Sequence, residues 1–377
     1  MDISIRKQLI KLSKYGQNLL KSRQYAEACQ AFEEALLLTP GNLYFMTRTG
    51  DTLRRQKDYS AAAGYYRQVL EIEPNNPFAL RGFGDALRGM LQYGDAIEVW
   101  QKYLSLKGFR NVFILTRIAD CYKAINNYED SQSYYQKALS LKANNRYALI
   151  GLADLYQKQG LEIPAIEWYE KALANGVFLV NILTIVGNLH YRQGDYEKAR
   201  ICYEKALVQE PDNSYALYGL GNYYRWKSDY RRAVELYEKI LEKNDGTVNL
   251  QSRLGDAYRN QGQYEDAERA YNNNLAKGYN IFSMVGMIKL RSLQGRLKEA
   301  CDCYDELLRN EGEDRKVFAD IGRLFIQRNN HSLALQFFRH ALHRQIGDAS
   351  VSRIIEDRIR ELGAVLCDDA TIKDCDG

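Results

Sequence analysis

Residues 180–213 read VNILTIVGNLHYRQGDYEKARICYEKALVQEPDN, and the spacing within them decides the architecture of the chain. Gly187 is followed twelve residues later by Ala199 and four further on by Tyr203. Between them, Gln193 to Ala199 reads as a short polar turn and a helix start, and Pro211 closes the second helix. The same spacing recurs in both directions. The aromatic position holds Phe32, Tyr66, Trp100, Tyr135, Tyr169, Tyr203, Tyr237, Tyr271, Tyr304 and Phe338. The small residue ahead of it is Gly16, Gly50, Gly84, Ala119, Ala153, Gly187, Gly221, Gly255 or Gly322, with Ile288 as the one exception.

Units therefore start near residues 9, 43, 77, 112, 146, 180, 214, 248, 281 and 315, in steps of 33 to 35. One such unit cannot bury its apolar face alone, so neighbours must stack into an array. Small residues let helices approach closely, and the Leu, Tyr and Phe positions fill the space beside them.

At Leu183, Val186, Gly187, Ala199, Tyr203, Ala206 and Pro211 the sequence resembles the tetratricopeptide repeat (TPR) family, whose unit is a 34-residue helix–turn–helix. Pro40 and Pro74 occupy the same closing position as Pro211. Departures are local: Tyr103 and Asn274 stand where alanine is usual, and Ile288 replaces the small first-helix residue. The resemblance implies an all-α, right-handed superhelical solenoid of about ten repeats over residues 1–348, with no attached catalytic domain. Residues 349–362 read as a capping helix, with Ile354, Ile355, Ile359 and Leu362 in one stripe. Residues 363–377 read as a polar, disordered tail.

Composition agrees with a folded helical protein. Hydrophobic residues make up 46% and charged residues 27%, with 29 tyrosines and only 5 prolines among 377 residues. No apolar run is long enough to span a membrane, and the start lacks the apolar core of a signal peptide. A formal charge of +4 from 52 cations and 48 anions gives no ground for nucleic acid or membrane as partner. Seven cysteines, mostly scattered, argue against a disulfide framework and for a cytoplasmic protein with reduced thiols.

Chemistry-bearing motifs are absent. His340 and His343 lie one helical turn apart but have no HExxH glutamate beside them, and Cys301 and Cys303 face different directions. No phosphate loop, dinucleotide fingerprint or nucleophile elbow occurs. No cofactor, metal or enzymatic activity is expected.

One pattern exceeds packing. The residue after the small position is Asp51, Asp85, Asp120, Asp154, Asn188, Asn222 and Asp256 in seven consecutive units. Three residues later stand Arg54, Arg88, Lys123, Arg225 and Arg259, with Gln157 and Tyr191 between them. At that spacing acid and base lie side by side on a helix. The ladder reads equally as local ion pairs and inter-repeat bonds, or as a binding surface. The resemblance places first helices along the concave groove, where Asp and Asn would hold a peptide's backbone amides. A second row, Tyr44, Phe78, Phe113, Tyr147, Tyr215 and Phe282, reads first as inter-repeat core and, wherever it is exposed, as anchor points of a protein-binding surface beside the ladder. The chaperone-tail clamp of some relatives is missing, since Ser13, Gln17, Thr47 and Asp51 occupy its positions.

The function expected is a non-catalytic protein-binding scaffold that takes an extended partner segment in its groove. Two alternatives stand beside it. One is a self-assembling scaffold, dimerising through C-terminal repeats where Lys289 and Arg323 reverse the ladder's charge. The other is an accessory subunit presenting substrates to a separately encoded enzyme such as a glycosyltransferase, a domain that some relatives carry after their repeats.

Overall fold

The computed structural model describes residues 3–311, apart from Lys107, Phe109 and residues 244–247, together with Leu335, Phe338, Arg339, Leu342, Arg353, Glu356, Asp357, Ile359, Arg360 and Glu361. Side chains of Val248, Asn249, Leu297, Cys301, Leu308 and Glu311 also fall outside the description. The tenth unit's boundaries, the expected capping helix as a whole, the tail, and the His331, His340 and His343 positions lie outside it as well.

The described chain is all-α. First helices of successive units are α1 (Ile3–Lys21), α3 (Leu43–Arg55), α5 (Pro77–Gly89), α7 (Val112–Ala124), α9 (Arg146–Lys158), α11 (Val180–Arg192), α13 (Ser214–Trp226), α15 (Val248–Gln261) and α17 (Ile281–Leu293). Second helices are α2 (Tyr25–Leu38), α4 (Tyr59–Ile72), α6 (Tyr93–Leu106), α8 (Tyr128–Leu141), α10 (Glu162–Ala174), α12 (Tyr196–Gln209), α14 (Tyr230–Leu241), α16 (Tyr264–Leu275) and α18 (Leu297–Glu311). Helix α1 starts at Ile3, ahead of the count that begins the first unit at residue 9.

Asparagine starts most first helices. Asn42, Asn76, Asn111, Asn145, Asn213 and Asn280 each accept a backbone N–H of the first turn on their side chains, satisfying donors with no partner inside the helix. Asp58, Asn127 and Asp229 do the same for second helices. Between the helices of each unit one residue takes the left-handed conformation. It is glycine at Gly160, Gly194, Gly262 and Gly295, but Arg23, Lys57, Leu91, Asn126 and Ser228 elsewhere.

The chain divides into two compact units, Met1–Phe178 and Leu179–Gly377. Each is an all-α solenoid in which every helix packs on the next. In the first unit, α3 also touches α5 and α7 touches α9; in the second, α11 touches α13 and α15 touches α17. No pair of described second helices meets to that extent. First helices therefore form the tighter, inner face of each unit.

Buried aromatics fill the space between helices. Phe32, Tyr66, Trp100, Tyr135, Tyr169, Tyr203, Tyr237, Tyr271, Tyr304 and Phe338 are all almost wholly buried. Tyr66 lies between Gly50 of its own unit and Gly82 of the next; Tyr203 and Tyr271 are enclosed in the same way by Gly187 and Gly219, and by Gly255 and Gly286. A Cβ at Gly82, Gly187, Gly219, Gly255 or Gly286 would collide with the ring and one at Gly50 would press tightly on it, so the small residues set how closely units stack. Asn274, in an alanine position, is buried in a polar cluster of its own. Its Nδ2 donates to Ser252 Oγ (3.0 Å) and Ser283 Oγ (2.7 Å), a network that lets the core accept an amide.

Candidate protein-binding face

The inner face is built on tyrosines reaching up from the second helices. The Tyr66 hydroxyl donates to Asp51 Oδ1 (2.7 Å), Tyr169 to Asp154 (2.5 Å), Tyr203 to Asn188 (2.7 Å), Tyr237 to Asn222 (2.9 Å) and Tyr271 to Asp256 (2.8 Å). Tyr135 bonds Asp120 in the same way. Each pair is fifteen residues apart, linking the two helices of one unit. Burial, reinforced by the neighbouring carboxylate, pushes the Tyr66, Tyr135, Tyr169 and Tyr271 hydroxyls far above the usual tyrosine range. They are donors at any working pH.

Trp100 breaks the series. Its ring N–H donates to the Arg81 carbonyl (3.3 Å), and Asp85 takes cations instead. Arg54 Nη1 lies 3.0 Å from Asp85 Oδ2, and Arg117 bonds the other oxygen from the following repeat. The expected pairing of each acid with the base three residues on is present at Asp51–Arg54 (3.6 Å), Asp120–Lys123 (3.7 Å) and Asp256–Arg259 (3.3 Å). Asp85 makes no such pair with Arg88. Lys123 also reaches Asp154 (3.7 Å), and Arg225 reaches Asp256 (3.6 Å), so cations tie one repeat to the next. Asp85 is buried beneath its two arginines, Asp51, Asn222 and Asp256 are partly covered, and Asp120, Asp154 and Asn188 are open to solvent for about half their surface or are exposed outright.

The aromatic row differs from its expected role. Tyr44, Phe78, Phe113, Tyr147, Tyr215 and Phe282 range from 39% exposed at Tyr44 to 75% at Tyr215, so they are not inter-repeat core. They stand at the second residue of their helices, seven residues before the ladder position where a ladder residue follows. That spacing is two helical turns, which puts the row on the ladder's face. The periodicity alone cannot separate this position from a buried one, because both share a stripe edge. Cations stack on several rings: the Arg117 guanidinium lies 3.8 Å from the Phe113 centroid, and Arg146 4.7 Å from Tyr147. Ser13 Oγ (2.9 Å) and Gln17 Nε2 (2.7 Å) both bond the Tyr44 hydroxyl, so two of the positions that would form a carboxylate clamp hold an aromatic ring instead.

In the second unit the face opens into a cleft of about 690 Å³ lined by Asn188, Tyr191, Tyr203, Tyr215, Tyr218 and Asn222 among others. Ile240 and Leu250 form part of its apolar wall. Sequence reasoning missed this cleft, although Tyr191 stands where the ladder's base is interrupted.

The remaining sequence candidates are structural. His190 is buried, with Nδ1 3.7 Å from Asp195. Burial pushes the Cys29 and Cys121 thiols up to about 12, which removes them as nucleophiles at neutral pH. Among the described residues, no cluster of three or more His, Cys, Asp or Glu side chains is placed to hold a metal ion, and no helix is long and apolar enough to cross a membrane.

Comparison with known proteins matches segments of the chain between residues 15 and 279 to family models. A tetratricopeptide repeat family model matches residues 15–77, 187–247 and 222–279, and a second tetratricopeptide repeat model matches residues 114–145. No curated protein matches the sequence. Among solved structures, the C-terminal part of a TPR repeat-containing protein from Cytophaga hutchinsonii shares 16% identity over 64% of this chain and 98% of its own, with a TM-score of 0.54. PilW, a type IV pilus biogenesis factor, shares 16% over 57% of this chain and 98% of its own, with a TM-score of 0.50. MamA shares 23% over 44% of this chain and 91% of its own, with a TM-score of 0.42. At 16% identity the likeness to the first two is one of fold.

Proposed function

The chain belongs to the tetratricopeptide repeat family, and from that premise we infer that it is a non-catalytic scaffold whose first-helix face binds an extended segment of another protein. The observation that carries this reading is the exposed aromatic row. Large apolar side chains held in solvent at regular spacing along one face are the anchors of a protein-binding surface.

The ladder supplies the polar half. Tyrosine hydroxyls occupy one carboxylate oxygen of Asp51, Asp120, Asp154 and Asp256 and the amide oxygen of Asn188 and Asn222, which holds each side chain in one orientation. The second oxygen of Asp120 and Asp154 then accepts a backbone N–H of the ligand, and the Nδ2 of Asn188 and Asn222 donates to a backbone carbonyl. Main-chain contacts of this kind hold a segment without reading its sequence, and the aromatics and the Tyr191–Tyr215–Tyr218 cleft select side chains.

Selection of displayed random peptides on the full chain tests the reading. Peptides that bind the wild type and lose about tenfold or more on a Phe78→Ser/Phe113→Ser/Tyr147→Ser variant are expected. These side chains are exposed, so the variant should melt as the wild type does. Equal binding to both proteins would move the site elsewhere, and self-association changing with the variant would favour the assembly reading.

A further inference from the structure

The near-neutral total charge conceals a separation. In the Met1–Phe178 unit every first helix carries more cations than anions, and together α1, α3, α5, α7 and α9 hold a surplus of ten. The second helices of the same unit carry seven more anions than cations, and none of them is net positive. The cations also share the ladder's face. Arg48, Arg81 and Arg117 precede a ladder aspartate by three or four residues, and Arg88, Lys123 and Lys158 follow one by the same spacing.

That surplus of ten already counts the aspartates on this face, and the fold engages several of them. Asp51 and Asp120 accept tyrosine hydroxyls, and Asp85 is enclosed by Arg54 and Arg117. Arg88 stands near Arg117 with no ion pair of its own among the described residues, and burial together with Arg88 and Arg54 lowers the Arg117 guanidinium's hold on its proton. Two guanidiniums thus enclose one buried carboxylate, and Arg88 adds a third cation beside Arg117. Arg81 is exposed at the rim. Such like-charge crowding is relieved by an anion arriving from outside.

Resting on the peptide-binding reading above, we propose that the partner of this unit is an acidic protein segment, whose carboxylates meet Arg81 and Arg88 while its apolar side chains lie on Phe78, Phe113 and Tyr147. A protein segment suits the face better than a nucleic acid strand. Half-exposed Asp120 and Asp154 repel a continuous phosphate backbone, whereas a peptide offers them an N–H at each residue. The charge also steers encounter, so binding weakens with salt.

The test takes the peptides selected on the full chain and reads their composition. Enrichment in Asp and Glu is expected, with affinity falling about tenfold when the peptide's glutamates become glutamines or when the chain carries Arg81→Gln/Arg88→Gln. Both arginines lie outside the Asp85 pairs, so the variant should keep the wild-type melting temperature. Neutral or basic peptides that still need Phe78, Phe113 and Tyr147 would overturn the acidic partner and leave peptide binding standing. Acidic peptides indifferent to the arginine variant would overturn the location. Single-stranded oligouridine displacing the peptide at equal concentration would overturn the partner class, and no enriched peptide at all would sink both readings.

Discussion

Tyr66, Tyr135, Tyr203, Tyr237 and Tyr271 of the second helices are each held at both ends, the ring against glycine and the hydroxyl on an Asp or Asn of the first helix. Two expectations follow from the two ends. The hydroxyls of Tyr66, Tyr135, Tyr169 and Tyr271 ionise far above the ordinary value of 10.0, burial being the main cause and the facing aspartate the second. A group whose folded pKa is raised stabilises fully below its unfolded pKa, and that stability is lost as pH rises past it. Thermal melts should therefore be insensitive to these tyrosines near neutrality and fall steeply above about pH 10. Tyr66→Phe should cost about 1 kcal/mol at neutral pH and flatten the alkaline fall. An equally steep fall in a variant lacking all four hydroxyls would refute that assignment. At the ring end, Gly219→Ala puts a methyl into Tyr203 and should cost about 1–3 kcal/mol. Gly64 has open space around it in mid-helix, so Gly64→Ala should stabilise by about 0.5–1 kcal/mol, both changes being read by urea titration.

Helices and the turns between them were legible in the sequence to different degrees. The glycine-to-aromatic spacing reveals the pairs because close stacking restricts the position to small residues in nearly every unit, a Cβ at Gly187 falling 2.6 Å from the Tyr203 ring. The turn is less visible, since only four of its nine described positions are glycine although all nine adopt positive φ. Leu91 is the sharpest case, left-handed at φ 62° and 69% exposed, so its side chain gains little from burial. Leu91→Gly relieves about 1–2 kcal/mol of strain against a smaller entropic cost in the unfolded chain. A rise in melting temperature is expected, and Gly160→Leu should do the reverse. The binding face was legible only in part. Spacing placed Asp120 and Lys123 on one helix surface, but the Tyr135 partner comes from another helix and no local pattern announces it. Phe78 and Phe113 read both ways in the sequence for a related reason: hydrophobicity at a stripe edge does not say whether a neighbour covers it, and here none does so fully.

For the molecule as a whole, bonding is local in sequence. Among the described residues no side-chain hydrogen bond spans more than the 35 residues from Lys158 to the Lys123 carbonyl, so stability accumulates repeat by repeat. Each compact unit contains its own apolar clusters: Leu80, Trp100, Ile114 and Leu152 belong to one in the first unit, and Tyr237, Leu250 and Leu254 to one in the second. A domain with its own core and only nearest-neighbour bonds does not need distant chain to fold. The fragment 1–178 should therefore retain helical circular dichroism in proportion to its length and melt cooperatively. It also carries the whole surplus of ten cations on its first helices, so it should keep the affinity for acidic peptides and the salt dependence of the full chain. A fragment that folds but binds only neutral peptides would separate the solenoid's stability from its electrostatics, placing the acidic contact in the second unit. A fragment without a cooperative melt would instead show that the repeats of the first unit draw their stability from beyond residue 178.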